Sequence, residues 1–157
     1  MSGLDPLIGE SEIATPGDME ALGERIGGML RPGDVVVLTG ALGAGKTTLT
    51  RGIAAGLGVR GPVQSPTFVI ARTHPSLVGG PPLVHVDAYR LGSALELDDL
   101  DIDTDRSVVI IEWGRGMAEH LADVWWEVEL ERGSGVVVAD AELDADAPRR
   151  VVITRRP

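Results

Sequence analysis

The chain has 157 residues, enough for one domain with a buried core, and 43% of them are hydrophobic, which excludes a largely disordered protein. It contains no cysteine, so disulfides, thiolate metal sites and a cysteine nucleophile are excluded, and the composition fits a cytoplasmic protein. A net charge of −10 argues against a dedicated nucleic-acid binder, although backbone amides and one lysine can still bind a compact phosphate group. With no signal-peptide pattern and no apolar run near the roughly 18 residues of a membrane span, we expect a single domain over residues 1–157 and no membrane association.

The first half of the chain predicts a helix, a buried strand and a second helix. Thr15 can cap a helix and Pro16 suits the first helical position. Apolar residues then recur at helical spacing until a turn over residues 31–34. A continuous apolar run at residues 35–38 is typical of a strand buried on both faces, and residues 47–57 are predicted to be the second helix.

The second half predicts strands that end in carboxylates. Two of them end at Asp87 and Glu112, and the last two alternate as a half-exposed antiparallel pair does. An acidic stretch at about 133–148 joins that pair. The predicted spans are an extended segment at 67–73, a surface loop at 74–82, strands at 83–87, 107–112, 125–130 and 150–154, and helices at 93–100 and 115–121.

Residues 40–47, Gly-Ala-Leu-Gly-Ala-Gly-Lys-Thr, match the phosphate-loop pattern G-x-x-x-x-G-K-[ST] at every fixed position. Glycines let backbone amides point inward, and the following helix adds its positive dipole end. In such loops the lysine, here Lys46, bridges the β- and γ-phosphates, and the hydroxyl of Thr47 binds Mg²⁺. The predicted ATP contacts are Gly40, Ala41, Leu42, Gly43, Ala44, Gly45, Lys46, Thr47 and Thr48.

This motif, placed between a buried strand and a helix, sets the expected fold. Strands that alternate with helices and end in polar residues indicate an α/β sheet with its site at the carboxyl ends of the strands. We therefore expect a P-loop NTPase-like three-layer α/β sandwich, with a mostly parallel central sheet and antiparallel C-terminal strands.

A phosphate-loop site also needs a second magnesium anchor and a group that orients the attacking water. We expect Asp87 and Glu112 to lie near Mg²⁺ together with Thr47, and Glu112 also to polarise the water. Thr67, in Ser-Pro-Thr, is a candidate sensor of the γ-phosphate, so the predicted catalytic residues are Lys46, Thr67, Asp87 and Glu112. Each strand end can instead cap a loop, and Ser-Pro-Thr can be a simple turn. His85 alternates with Asp87 and can face the site, although a structural hydrogen bond is the commoner use of such a residue.

Four segments together resemble the bacterial TsaE ATPases over roughly residues 10–130. They are Leu-Thr-Gly-Ala-Leu-Gly-Ala-Gly-Lys-Thr-Thr at 38–48, Ser-Pro-Thr-Phe at 65–68, His-Val-Asp-Ala-Tyr-Arg-Leu at 85–91 and Ile-Glu-Trp at 111–113. The resemblance implies an ATPase, with ATP and Mg²⁺ as cofactors, that takes part in making threonylcarbamoyladenosine in tRNA. It further implies partners, the TsaD transferase subunit and the related TsaB, whose complex the ATPase resets between turnovers. Any contact with tRNA itself is expected to be indirect.

By matched position, the resemblance assigns phosphate and metal to Lys46 and Thr47, the switch-like loop to Thr67, and metal and water to Asp87 and Glu112. It places Trp113 near the nucleotide, while an ordinary core or surface aromatic remains the alternative. The chain departs from the family at Ala41, where an acidic residue is common.

Three other functions use the same loop. A small-molecule kinase usually closes an arginine-bearing lid over its substrates, and the candidate lid at 74–82 has no arginine. A GTPase normally reads guanine with N-K-x-D, and this chain has no asparagine. A non-catalytic nucleotide sensor would have no use for a water-polarising carboxylate such as Glu112.

Overall fold

The computed structural model describes residues 4–40, 45–61, 71–88, 102–112, 117–132 and 148–156. Within these ranges, seven strands form one sheet against which two α-helices pack. The helices are α1 (Pro16–Met29) and α2 (Lys46–Leu57), and the strands are β1 (Gly9–Ile13), β2 (Val35–Gly40), β3 (Ala71–His74), β4 (Leu83–Asp87), β5 (Val108–Glu112), β6 (Trp125–Arg132) and β7 (Arg149–Arg156).

The sheet has the strand order β1-β7-β6-β2-β5-β4-β3. Its four central strands, β6, β2, β5 and β4, are parallel to one another, while β7, β1 and β3 join antiparallel. This confirms the α/β fold with a parallel centre and an antiparallel C-terminal pair. Strand β1 was not predicted, because four of its five residues are exposed and its sequence, Gly-Glu-Ser-Glu-Ile, has no buried apolar face.

Helix α1 begins as the sequence predicts. Thr15 is its N-cap, and the Thr15 hydroxyl accepts a hydrogen bond of 3.1 Å from the backbone N–H of Asp18. Its apolar stripe is buried: Met19, Leu22 and Ile26 are at most 8% exposed. Burial of each such side chain stabilises the fold by about 1.5–3 kcal/mol, which fixes the helix against the sheet.

The two faces of the sheet are covered differently. Both α-helices pack on the face that carries Val36, Leu38 and Ile110. In the described part of the chain, the opposite face is covered by a short segment that includes the 3-10 helix Ala118–His120. The sequence predicted a helix over 115–121, and within its described residues the 3-10 helix covers 118–120. The predicted helix at 93–100 and most of the loop at 133–148 lie outside the described residues.

Neither of the two described helices is long and apolar enough to cross a membrane. Helix α1 has 14 residues and α2 has 12.

Glycines let α1 and α2 approach each other until their backbones touch. A Cβ atom added at Gly23 or Gly27 would overlap the carbonyl oxygen of Leu49 or Ile53 on α2. In the reverse direction, a Cβ at Gly52 or Gly56 would overlap carbonyl oxygens of α1. Since backbone cannot move aside as a flexible side chain can, these positions admit no larger residue, and α2 is held at a fixed distance from α1.

Two neighbouring glycines of α1 provide a test of this packing. Gly27→Ala is expected to lower the free energy of unfolding by about 1–3 kcal/mol, because the new methyl group meets the α2 backbone. Gly28→Ala is the matched control, since a Cβ there meets nothing within 4 Å, and it should raise stability by about 0.5–1 kcal/mol. Urea unfolding of both variants measures the difference. Equal effects would contradict the close helix contact.

Candidate nucleotide site

The predicted phosphate loop joins β2 to α2, as the sequence indicated. Strand β2 ends at Gly40 and α2 begins at Lys46, while residues 41–44 lie outside the described part of the chain. Gly45 is the N-cap of α2 and has a φ of 105°, in the left-handed region where a side chain is strained. The last glycine of the motif is therefore required by the backbone turn that starts the helix.

The first turn of α2 is suited to an anion. Its N-cap has no side chain, so no side-chain oxygen of Gly45 accepts the first amides as Thr15 does in α1. Helix N-termini carry partial positive charge and amides without an intrahelical acceptor. Thr47 and Thr48 lie half-buried in this turn. Thr50, one turn on, is buried, and its hydroxyl donates to the carbonyl oxygen of Lys46 at 2.8 Å.

Lys46 is the only lysine in the sequence, and it is 8% exposed. Its Nζ donates a hydrogen bond of 2.8 Å to the carbonyl oxygen of Gly40 and lies 3.9 Å from Oε1 of Glu112. Burial lowers the pKa of the Lys46 ammonium, and the negative charges of Glu112 and Asp87 oppose that shift. The lysine thus lies between the two ends of the loop and the carboxylates of the sheet.

Strand register brings the two predicted carboxylates together. In the parallel pairs, Glu112 is in register with both Leu38 of β2 and Asp87 of β4. Residues in register on neighbouring strands point to the same face, and those strands lie about 4.8 Å apart. Leu38 belongs to the cluster that packs under α1 and α2, so both carboxylates face the side on which Lys46 lies.

A histidine completes this group, and the sequence analysis did not assign it to the site. His85 is 1% exposed, and its Nε2 lies 2.6 Å from Oε2 of Glu112. It makes the buried hydrogen bond that we regarded as the commoner use, and it also faces the site. The alternation of His85 with Asp87 on β4 was the available signal, but its partner depends on the register between β4 and β5.

Six of the predicted site residues lie outside the described part of the chain: Ala41, Leu42, Gly43, Ala44, Thr67 and Trp113. Among the residues that are described, no group of three or more His, Asp or Glu side chains is arranged to hold a metal ion. The predicted site residues that are described lie together at the carboxyl ends of the central parallel strands. They are Gly40, Gly45, Lys46, Thr47, Thr48, Asp87 and Glu112.

These features define a class of protein. A buried strand leads through a glycine-rich sequence into a helix whose first turn carries a lysine, and two strand-end carboxylates lie beside it. This is the arrangement of α/β proteins with a P-loop NTPase-like fold. The crystal structure of YdiB from Bacillus subtilis agrees: it has a TM-score of 0.65 and 30% sequence identity, over 90% of this chain and 81% of YdiB.

Sequence comparison gives the particular family. The family model described as "Threonylcarbamoyl adenosine biosynthesis protein TsaE" matches residues 13–137. The Streptomyces coelicolor protein named tRNA threonylcarbamoyladenosine biosynthesis protein TsaE is 53% identical, over 87% of this chain and 89% of its own length. Proteins of the same name from Mycobacterium leprae and Bacillus subtilis are 53% and 37% identical, over 73% and 74% of this chain and 77% and 73% of their own lengths. The chain belongs to the TsaE family, which confirms the resemblance found in its motifs.

Proposed function

We propose that this chain binds ATP with Mg²⁺ at the carboxyl ends of the central strands and hydrolyses it in support of threonylcarbamoyladenosine synthesis in tRNA. The observation that carries the proposal is the contact between Lys46 and Glu112, 3.9 Å apart at the N-terminus of α2. The motif assigns phosphate binding to this lysine, and the carboxylate beside it is placed to act on a water near the same phosphate. The role in tRNA modification is inferred from the names of the family and of the relatives.

The charges of the site support a role for a metal ion. Two carboxylates, Asp87 and Glu112, lie with one ammonium group beside a loop whose sequence is that of a phosphate binder. Carboxylates repel phosphates, so this combination is useful only with a cation between them. Mg²⁺ commonly keeps several waters and takes one or two carboxylates, so it does not require a larger cluster of ligands.

Each residue then has a distinct role. Lys46 and the first amides of α2 would bind the phosphate oxygens. Thr47 and Asp87 would hold Mg²⁺, with Glu112 also near it, and the ion would neutralise charge on the phosphates. Glu112 orients the attacking water and accepts its proton. Thr67 and Trp113 keep the roles that the family resemblance gives them, as γ-phosphate sensor and nucleotide contact. The absence of asparagine from the sequence favours adenine over guanine.

The location of the loop at 74–82 disfavours the kinase alternative. This loop is tied to the C-terminal end of α2: Leu77 N–H donates to Gly58 O, and Arg60 N–H donates to Pro75 O, both at 2.8 Å. A 12-residue helix is about 18 Å long, so the loop lies far from the phosphate end. Besides lacking arginine, it is therefore held away from the position that a lid over the γ-phosphate would take.

The finer part of the proposal concerns partners and rests on family membership. We infer that ATP hydrolysis resets the complex of TsaD and TsaB between turnovers, and that this chain does not itself carry the threonylcarbamoyl group. A net charge of −10 supports docking to protein partners rather than direct binding along a tRNA backbone. A role in tRNA modification places the expected site of action in the cytoplasm.

Lys46→Ala tests the phosphate-binding role. At about 100 times Kd, MgATP should stabilise the parent protein by about 2.7 kcal/mol, and the variant should lose this stabilisation because the phosphates lose their only ammonium partner. Thermal unfolding with and without MgATP measures it. Arg51→Ala, which removes an exposed cation from the same helix, is the control and should keep the shift. Since the chain has one lysine, amine-directed labelling adds a second measurement, in which MgATP protects Lys46. An unchanged melting shift in Lys46→Ala would contradict the assignment.

Glu112→Gln tests hydrolysis separately from binding. The amide keeps the size of the side chain but cannot accept a proton, so ATP binding should persist while the hydrolysis rate falls about 100-fold or more. Glu127→Gln is a matched control, because Glu127 is also a buried glutamate, 7% exposed against 5% for Glu112, but it accepts a hydrogen bond from Arg156 instead. Release of inorganic phosphate measures the rates. Turnover at the parent rate in Glu112→Gln would show that another group orients the water.

A further inference from the structure

His85 is buried and contacts the proposed site through one ring nitrogen. It lies on β4 in register with Ile110, and it is 1% exposed. The 2.6 Å separation between its Nε2 and Oε2 of Glu112 is short for a nitrogen–oxygen hydrogen bond and typical of one that involves a charged partner. A polar side chain this deeply buried is costly unless it makes such a bond, so the contact with Glu112 accounts for its position.

The other ring nitrogen indicates which tautomer makes the bond. Nδ1 of His85 is buried and has no hydrogen-bond partner among the described residues. A buried N–H without an acceptor is rarer in proteins than a buried acceptor without a donor. A ring with a single proton therefore carries it on Nε2 and donates it to the carboxylate of Glu112.

We propose that His85 is a positioning residue that fixes the orientation of the Glu112 carboxylate, an inference that rests on the hydrolytic role proposed for Glu112. Terminal carboxylate torsions are broad and roughly two-fold, so an unrestrained Glu112 can present either oxygen in many directions. The bond from His85 holds Oε2 and leaves Oε1 on the side of Lys46, 3.9 Å from its Nζ. Oε1 of Glu112 is then already oriented toward Lys46, beside which the phosphates are proposed to bind, before hydrolysis begins.

The second buried histidine provides an internal comparison. His74 on β3 is 7% exposed, and it bonds through Nδ1 to the carbonyl oxygen of Arg60 at 3.1 Å, with Nε2 buried and unpartnered among the described residues. Since a carbonyl only accepts, this ring carries its proton on Nδ1. Burial lowers the pKa of His74, while the bond to Arg60 opposes the shift. The two histidines should thus be opposite tautomers, and only His85 contacts Glu112.

A measurement on the nucleotide-free protein tests the tautomers without reference to activity. Long-range ¹H–¹⁵N spectra of the two rings distinguish a protonated ring nitrogen from a bare one. We expect His85 to carry the proton on Nε2 and His74 to carry it on Nδ1. A neutral His85 with its proton on Nδ1 would overturn the proposal, because Nε2 would have no proton to donate.

Two amide substitutions test the effect on hydrolysis. In His85→Gln the amide nitrogen reaches about as far as Nε2, whereas in His85→Asn it ends near the position of Nδ1 and falls short of Glu112. His85→Asn should lower kcat about 10–100-fold, as loss of outer partners of catalytic groups does, with the MgATP-induced melting shift kept. His85→Gln should restore most of kcat. In a Glu112→Gln background, His85→Asn should cause no further loss, because the two residues act as one unit.

His74→Gln is the matched control for a structural effect. It breaks the bond from Nδ1 to Arg60 and should lower the melting temperature while kcat is kept. The proposal is overturned if His85→Asn hydrolyses ATP at the parent rate, if His85→Gln is as slow as His85→Asn, or if His74→Gln is equally slow.

Glu112→Gln separates this inference from the proposed function. If that variant is inactive and His85→Asn is not, only the role of His85 fails, whereas parent activity in Glu112→Gln contradicts the role of Glu112 and removes the basis for a role of His85.

Discussion

The parallel register of β2, β5 and β4 determines where each described charged group of the site lies. Leu38, Glu112 and Asp87 stand in one row across these strands, and their common face is the one on which α2 packs. Because α2 follows β2 after a short loop, its positive end begins above the same row, and Lys46 meets Glu112 there. A shift of one residue between β2 and β5 would turn Glu112 toward the opposite face and remove it from the lysine. The geometry of the site therefore depends on the packing of apolar side chains that are not themselves site residues.

The helix layer adds the second constraint. Glycines at matching positions of α1 and α2 allow backbone contact, so α2 has one distance from α1 and a defined position over the sheet. At its start, the left-handed Gly45 sets the direction in which the helix leaves the loop. Within the site, His85 holds one oxygen of Glu112, and Lys46 bonds to Gly40 at the other end of the loop. Positive and negative groups of the site are thus oriented by neighbouring residues, and such preorganisation would reduce the rearrangement that the proposed binding and hydrolysis of ATP require.

Much of this arrangement can be predicted from sequence where a pattern has one physical interpretation. Strands β2 and β5 begin as continuous apolar runs and end in polar residues or glycine, and Thr15 and Pro16 mark a helix start by cap chemistry. Strand β1 was not predicted because an exposed edge strand needs no apolar alternation, and its position is set by its pairing with β7. The bond between His85 and Glu112 was not predicted for a related reason. Alternation along β4 indicates which face His85 lies on, but only the pairing of β4 with β5 brings together two side chains that are 27 residues apart in sequence.

The most direct test of the account is threonylcarbamoyl transfer to tRNA by the TsaD and TsaB pair, followed over many turnovers with and without this chain and ATP. The account predicts that product stops near one equivalent per complex without the chain and continues when the chain and ATP are both present. Adding the Glu112→Gln variant in place of the parent should leave the reaction stopped, because we expect that variant to bind ATP without hydrolysing it. Product that accumulates equally with and without the chain would contradict the proposed role, even if the chain hydrolyses ATP by itself.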